Sequence, residues 1–255
     1  MEHDSEAQWN CAVHYPLLAL ALGPHSANLR ALNCTSATIN SEYQISQRPQ
    51  STLIKSDAKK VDFCIVFRQP SKYRHPSIVE INSAESINHS NHPPLLSNPI
   101  VISIETKAAA PSQEEAELQM GVWMAAHFAR LRALVVRQRE QRPGPVQRRE
   151  DVFDVETKWR QAAEELGFLP GLLVLQHQWF FIAATWAPPP AGSANYYGHG
   201  VTLWRMIGIG STSKPEGICH IIYVVRYLAH WAETTYWPWF KRWALDDNSN
   251  RAGYV

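Results

Sequence analysis

The chain has 255 residues, 45% hydrophobic and 18% charged, with a formal net charge of +1. That composition excludes a low-complexity polymer and leaves enough chain to bury a sizeable core. Such a balance gives no overall field towards nucleic acid or an anionic membrane, so a DNA- or RNA-binding reading needs a local basic patch.

Four cysteines, Cys11, Cys34, Cys64 and Cys219, include no CxxC pair. They match neither a zinc ribbon nor a disulfide framework and read as reduced, mostly buried thiols. The first six residues are acidic where a secretory leader would be basic. No apolar run reaches the roughly 18 residues that span a bilayer. The expectation is an intracellular protein, cytoplasmic or nuclear, with no membrane partner.

In chain order, Ser5 can cap a helix over residues 5–22, with Trp9, Val13, Leu17 and Leu20 near helical spacing. Pro16 should kink it or end its first half. Residues 61–67, dense in β-branched and aromatic types, predict a strand. Residues 69–98 turn to Ser, Asn, His and Pro and read as a polar insertion, a loop or poorly ordered, with Ile78–Ile81 a possible short edge strand.

Ile100–Glu105 predicts a second strand. Ser112 and Glu115 then form a capping box for a long helix reaching about Arg139. Residues 140–150, with Pro143 and Pro145, read as a linker loop. Asp154–Leu166 is a further helix, closed by Gly167. Leu172–Gln176 and Trp179–Thr185 are joined too tightly for a crossover and so pair as a hairpin. Val201–Ile209 predicts another strand, and Pro215–Trp243 a long aromatic helix bent near Pro238. No linker separates two self-sufficient cores. The expected architecture is one α/β domain over 1–255, a mixed sheet flanked by helices.

The sharpest chemical feature is Glu105-Thr106-Lys107 at the end of an apolar strand. Residues i and i+2 share a strand face, so Glu105 and Lys107 project together, where charge is costly unless paired or used. Asp62 is equally out of place in the other apolar strand. If the strands are neighbours, Asp62 and Glu105 converge, and two close carboxylates suit Mg²⁺. Lys107 would then orient a water or stabilise charge developing on a phosphate. The bland alternative is a strand-end salt bridge.

Lys60-Val-Asp62, Ile102-Ser-Ile-Glu-Thr-Lys107, Glu115-Ala-Glu-Leu-Gln119 and Trp123–Leu131 resemble the fungal PD-(D/E)XK nuclease-like domain family. So do Glu6–Asn10 with Val13–Leu18, Phe168–Leu172 with Trp179–Thr185, and Tyr236-Trp-Pro-Trp239. The resemblance covers roughly residues 5–243 and implies a restriction-endonuclease-like mixed sheet. It implies a Mg²⁺ or Mn²⁺ site from Asp62, Glu105 and Glu6, with Lys107 and Gln119 as further catalytic positions. The superfamily's Pro is replaced by Val61.

Arg130, Arg132, Arg137, Arg139, Arg142, Arg148 and Arg149 could hold a phosphate backbone, or could simply favour a helix C-terminus. His14, His127, His177, His199, His220 and His230 show no ligand spacing and read as structural. The aromatic stripe from Trp231 to Trp243 reads as core. Three functions stay open: a metal-dependent phosphodiesterase on DNA or RNA, a small-molecule biosynthetic enzyme on the same fold, and a non-catalytic binding module.

Overall fold

Seven strands form one mixed sheet in the computed structural model, which describes residues 5–44, 60–68, 86–108, 113–140, 149–188, 200–204 and 206–245. Helix α1 (Glu6–Trp9) starts from Ser5, whose hydroxyl accepts from the Gln8 N–H at 3.2 Å. A π turn (Asn10–His14) joins it to α2 (Tyr15–Leu22). The widened turn stands just ahead of Pro16, which brings no N–H and crowds the carbonyl four residues back. The helix therefore continues past the proline by bulging.

Strand β1 (Leu29–Asn33) had no sequence signal. Its five residues, Leu-Arg-Ala-Leu-Asn, are weak strand formers, and antiparallel pairing with β2 (Phe63–Phe67) makes the strand. The fully buried β2 in turn pairs antiparallel with β3 (Ile100–Lys107).

Of the two readings of the insertion, the segment 86–98 is a loop, and a packed one. Ser86, Asn88, His89 and Ser90 are buried. The Asn88 amide donates to the Leu95 and Asn98 carbonyls, and its oxygen accepts from the Ile100 N–H. One side chain thus satisfies the backbone of a polar loop and lets it pack. Ile78–Ile81 and Ser112 lie outside the described residues.

Helices α3 (Gln113–Glu140) and α4 (Arg149–Leu166) form the crossover that a parallel neighbour requires, and β4 (Leu169–Leu175) duly runs parallel to β3. The described start of α4, Arg149, falls inside the expected linker. Strand β5 (Gln178–Ala187) returns antiparallel through Gln176 and His177, with Gln176 at φ 56°.

The single strand expected over 201–209 is two, β6 (Gly200–Leu203) and β7 (Ile207–Ser211). Leu203 pairs with Ala184 and Ile207 with Phe181, so the two strands follow one another along the same edge of β5. Helix α5 (Pro215–Trp231) gives way to α6 (Trp237–Ala244) through a second π turn, Ala232–Tyr236, again just ahead of a proline, Pro238.

Helix α3 covers one face of the sheet. The Trp123 indole N–H donates to Ser103 Oγ at 3.0 Å, and a Cβ on Gly171 would press on Met120 and Met124. The N-terminal helix covers the other face, where Tyr15 stacks on Phe63. The aromatic stripe is core as expected: Tyr236, Trp239 and Phe240 are buried, and Trp231 stacks on Phe168. Of the four unpaired cysteines, Cys34 and Cys64 are buried, while Cys11 and Cys219 are exposed. Among the described residues no helix is long and apolar enough to cross a membrane.

Candidate active site

Strand β3 runs three residues past the pairing of Ile104 with Phe63, the first residue of β2, and this gap builds the site. Phe63 pairs with Ile104, which leaves the β2-side edge of Glu105–Lys107 without a strand partner. Asp62 fills it. Its N–H donates to the Ile104 carbonyl at 3.0 Å, and its own carbonyl accepts from the Cys34 N–H at 2.7 Å. So pinned, the side chain reaches along the open edge, where Oδ2 accepts from both the Thr106 N–H and the Thr106 hydroxyl, each at 2.8 Å. The charge that looked misplaced in sequence substitutes for a missing ladder bond.

Alternation along β3 puts Ser103, Glu105 and Lys107 on the α3 face and Thr106 on the other. Glu105 is 2% exposed, and Lys107 Nζ lies 2.7 Å from its Oε1. Burial and the nearby Asp62 charge push the Glu105 carboxyl up to about 8, against a smaller downward pull from Lys107. Burial also raises Asp62, resisted by its Thr106 hydrogen bonds and by Lys107. Burial alone would lower Lys107, but Glu105, Glu6 and Asp62 together hold it above its ordinary value.

Glu6 comes from the first turn of α1. Its Oε2 accepts from the Ala108 N–H, just past β3, at 3.3 Å. Burial and Asp62 raise its pKa, and Glu115, at the start of α3, adds to the rise. Gln119 sits one helical turn before Trp123, the residue bonded to Ser103. Because α3 runs back along β3, that turn carries Gln119 towards the level of Glu105 on the same sheet face. Its Oε1 is buried without a hydrogen-bond partner.

The structure therefore brings Asp62, Glu105, Lys107 and Glu6 into one electrostatic unit, towards which the register of α3 directs Gln119. Asp62 raises the proton affinity of both Glu105 and Glu6, and Glu6 adds to the rise at Glu105, the situation a divalent cation relieves. The donors are hard oxygens, which suit Mg²⁺ or Mn²⁺. Among the described residues, no group of three or more His, Cys, Asp or Glu closes to metal-binding distance. Glu105 is instead held by Lys107 and Asp62 by Thr106, so these side chains would have to exchange partners to take up a cation.

Three site residues were missed in sequence. Thr106 is the variable middle of the Glu-x-Lys triplet, facing away from it. Asn10 and His14 are both buried, with His14 Nδ1 2.9 Å from Asn10 Oδ1. The available signal was the spacing of Glu6, Asn10 and His14, three polar residues four apart on a helix with few other polar residues. Burial lowers the His14 ring to about 4, so it is neutral at neutral pH.

Of the arginine cluster, Arg130 and Arg132 are taken up by partners within the fold. Arg130 is 3% exposed and donates to the Tyr43 hydroxyl and the Ser86 carbonyl. Arg132 pairs with Glu156 at 2.8 Å. Their helix turns them into the fold, which a count of sequence charge cannot show. The side chains of Arg139, Arg142, Arg148 and Arg149, and His199 entirely, lie outside the described residues.

With a mixed sheet and an Asp…Glu-x-Lys cluster at a strand end, the architecture is that of a nuclease-like α/β domain. Residues 1–237 match the family model of the PD-(D/E)XK nuclease superfamily, and the chain belongs to that superfamily. No curated protein matched the chain, and no solved structure did.

Proposed function

We propose that the protein is a divalent-metal-dependent phosphodiesterase that cleaves DNA or RNA, with Asp62, Glu105 and Lys107 at its centre. The observation that supports this most is the Glu105–Lys107 pair, 2.7 Å apart with Glu105 buried and Lys107 half-buried, beside a second buried carboxylate. A salt bridge kept for stability gains little from such burial, since desolvating two charges offsets most of their attraction. A site that must present a cation and a carboxylate to a phosphate needs that arrangement.

Asp62 and Glu105 are the residues that would hold Mg²⁺ or Mn²⁺, with Glu6 as a third carboxylate. The bound cation would neutralise phosphate charge and make a coordinated water more acidic. Asp62 is kept in place by Thr106 and by its own backbone bonds. Lys107 Nζ, now paired with Glu105, would orient the water or face charge developing on the phosphate. Gln119 offers its unpartnered oxygen to the water or the substrate from the α3 side.

The test is cleavage of single- and double-stranded DNA and RNA with Mn²⁺ and with Mg²⁺. The parent should cut one of these, and Glu105→Ala should not. Cleavage that survives Glu105→Ala would remove the proposed centre. A second reading, a small-molecule enzyme on this fold, gains support from Arg130 and Arg132 being bound up inside the fold, since a duplex needs a basic groove. A parent that binds Mn²⁺ but retains no nucleic acid on a filter at low salt favours it.

A further inference from the structure

Asn10 and His14 are the first and last residues of the π turn in the N-terminal helix, and both are 3% exposed. Asn10 Oδ1 lies 2.9 Å from His14 Nδ1 and 3.0 Å from Thr106 Oγ1. The same Thr106 hydroxyl lies 2.8 Å from Asp62 Oδ2. A hydroxyl carries one proton, so Thr106 can donate to only one of these two acceptors at a time. The Thr106 N–H, by contrast, stays on Asp62 in either case. The His14 tautomer sets which end of the Asn10 amide faces inward: a neutral ring protonated on Nδ1 donates to the amide oxygen and holds it there, whereas one protonated on Nε2, with its N–H turned towards the Gln176 backbone, does not.

The geometry points to Asn10 as a positioning residue for Asp62, an acceptor onto which the Thr106 hydroxyl turns when Asp62 gives charge to a divalent cation. This rests on the metal-dependent reading. An ionised Asp62 is the stronger acceptor and keeps the hydroxyl. Once a cation draws on the carboxylate, the neutral amide oxygen competes, and Asp62 is left with one donor in place of two. Without Asn10 the hydroxyl has nowhere else to turn and continues to withdraw charge from Asp62, which makes a poorer ligand. The Asn10 amide also lowers the Asp62 pKa, the least of that group's named causes, so its action through Thr106 has to be separated from a direct one.

A double-mutant cycle separates them. Mn²⁺ binding is measured by calorimetry on the full chain as parent, Asn10→Ala, Thr106→Ser, Thr106→Val and Asn10→Ala with Thr106→Val. Asn10→Ala should weaken Mn²⁺ binding by about tenfold, the low end for partners that orient a ligand. Thr106→Ser, which keeps the hydroxyl, should bind as the parent does. In the Thr106→Val background, adding Asn10→Ala should change nothing. Equal weakening in both backgrounds would show that Asn10 acts on Asp62 directly and overturn the proposal.

Nitrogen-15 NMR of the metal-free parent gives a readout that needs no variant. It should find His14 protonated on Nδ1, and a ring protonated on Nε2 would also overturn the proposal. A parent that binds no Mn²⁺ is a separate result, because it refutes the metal-dependent reading itself and with it this role for Asn10.

Discussion

Glu105→Gln should stabilise the metal-free protein at neutral pH, although it removes the central carboxylate. The Glu105 carboxyl is pushed from an ordinary 4.5 up to about 8. Between those values the folded chain binds its proton more tightly than the unfolded chain, so stability falls as pH rises through the window. At pH 7 the unfolded side chain has gained about 3 kcal/mol from ionising, at 1.36 kcal/mol per pH unit, while the folded one is still largely protonated. A glutamine has the shape of the protonated acid and does not ionise in either state.

The assay is denaturant unfolding of parent and Glu105→Gln at pH 4.5, 7 and 8.5, without divalent metal. The curves should agree at pH 4.5, and the variant should be more stable by about 2–3 kcal/mol at pH 7. Saturating Mn²⁺ should narrow the gap by stabilising the ionised parent alone. A parent whose stability is flat or rising from pH 5 to 8, with no gain in Glu105→Gln, would refute the reasoning.

Lys107→Met should keep the side chain's apolar stem and lose the charge, lowering cleavage by about 100-fold or more while Mn²⁺ binding persists; single-turnover cleavage and calorimetry check the two halves. Gly217→Ala should weaken the seating of α5 against β7. A Cβ there would lie 2.2 Å from the Ser211 carbonyl oxygen, which is backbone and cannot swing away. The expected loss is about 2 kcal/mol or more in chemical unfolding, and a parent-like midpoint would contradict the close approach.

Local pattern carried much of this molecule in the linear sequence. Runs of β-branched and aromatic residues marked β2 and β3, because a strand buried on both faces admits little else. The tight spacing of β4 and β5 forced a hairpin, and the alternation of Glu105 with Lys107 followed from strand geometry alone. Asp62 and Glu105 stood out as charges in apolar strands, and their convergence needed only that the strands be neighbours.

Tertiary structure decided what no local pattern could express. Strand β1 exists because β2 offers it an edge. Residues 86–98 pack because Asn88 serves three backbone groups, and Arg130 lies inside because its face of α3 meets Tyr43 and Ser86. The difference matters most at Thr106. In sequence it is the variable residue between Glu105 and Lys107, on the opposite face of the strand. In the fold its N–H and hydroxyl close on Asp62, 44 residues earlier, and the hydroxyl also meets Asn10, 96 residues earlier. Side-chain type and spacing fix which face a residue takes; which partner waits on that face is set by chain closure over long separations, and a periodic reading of the sequence holds no record of it.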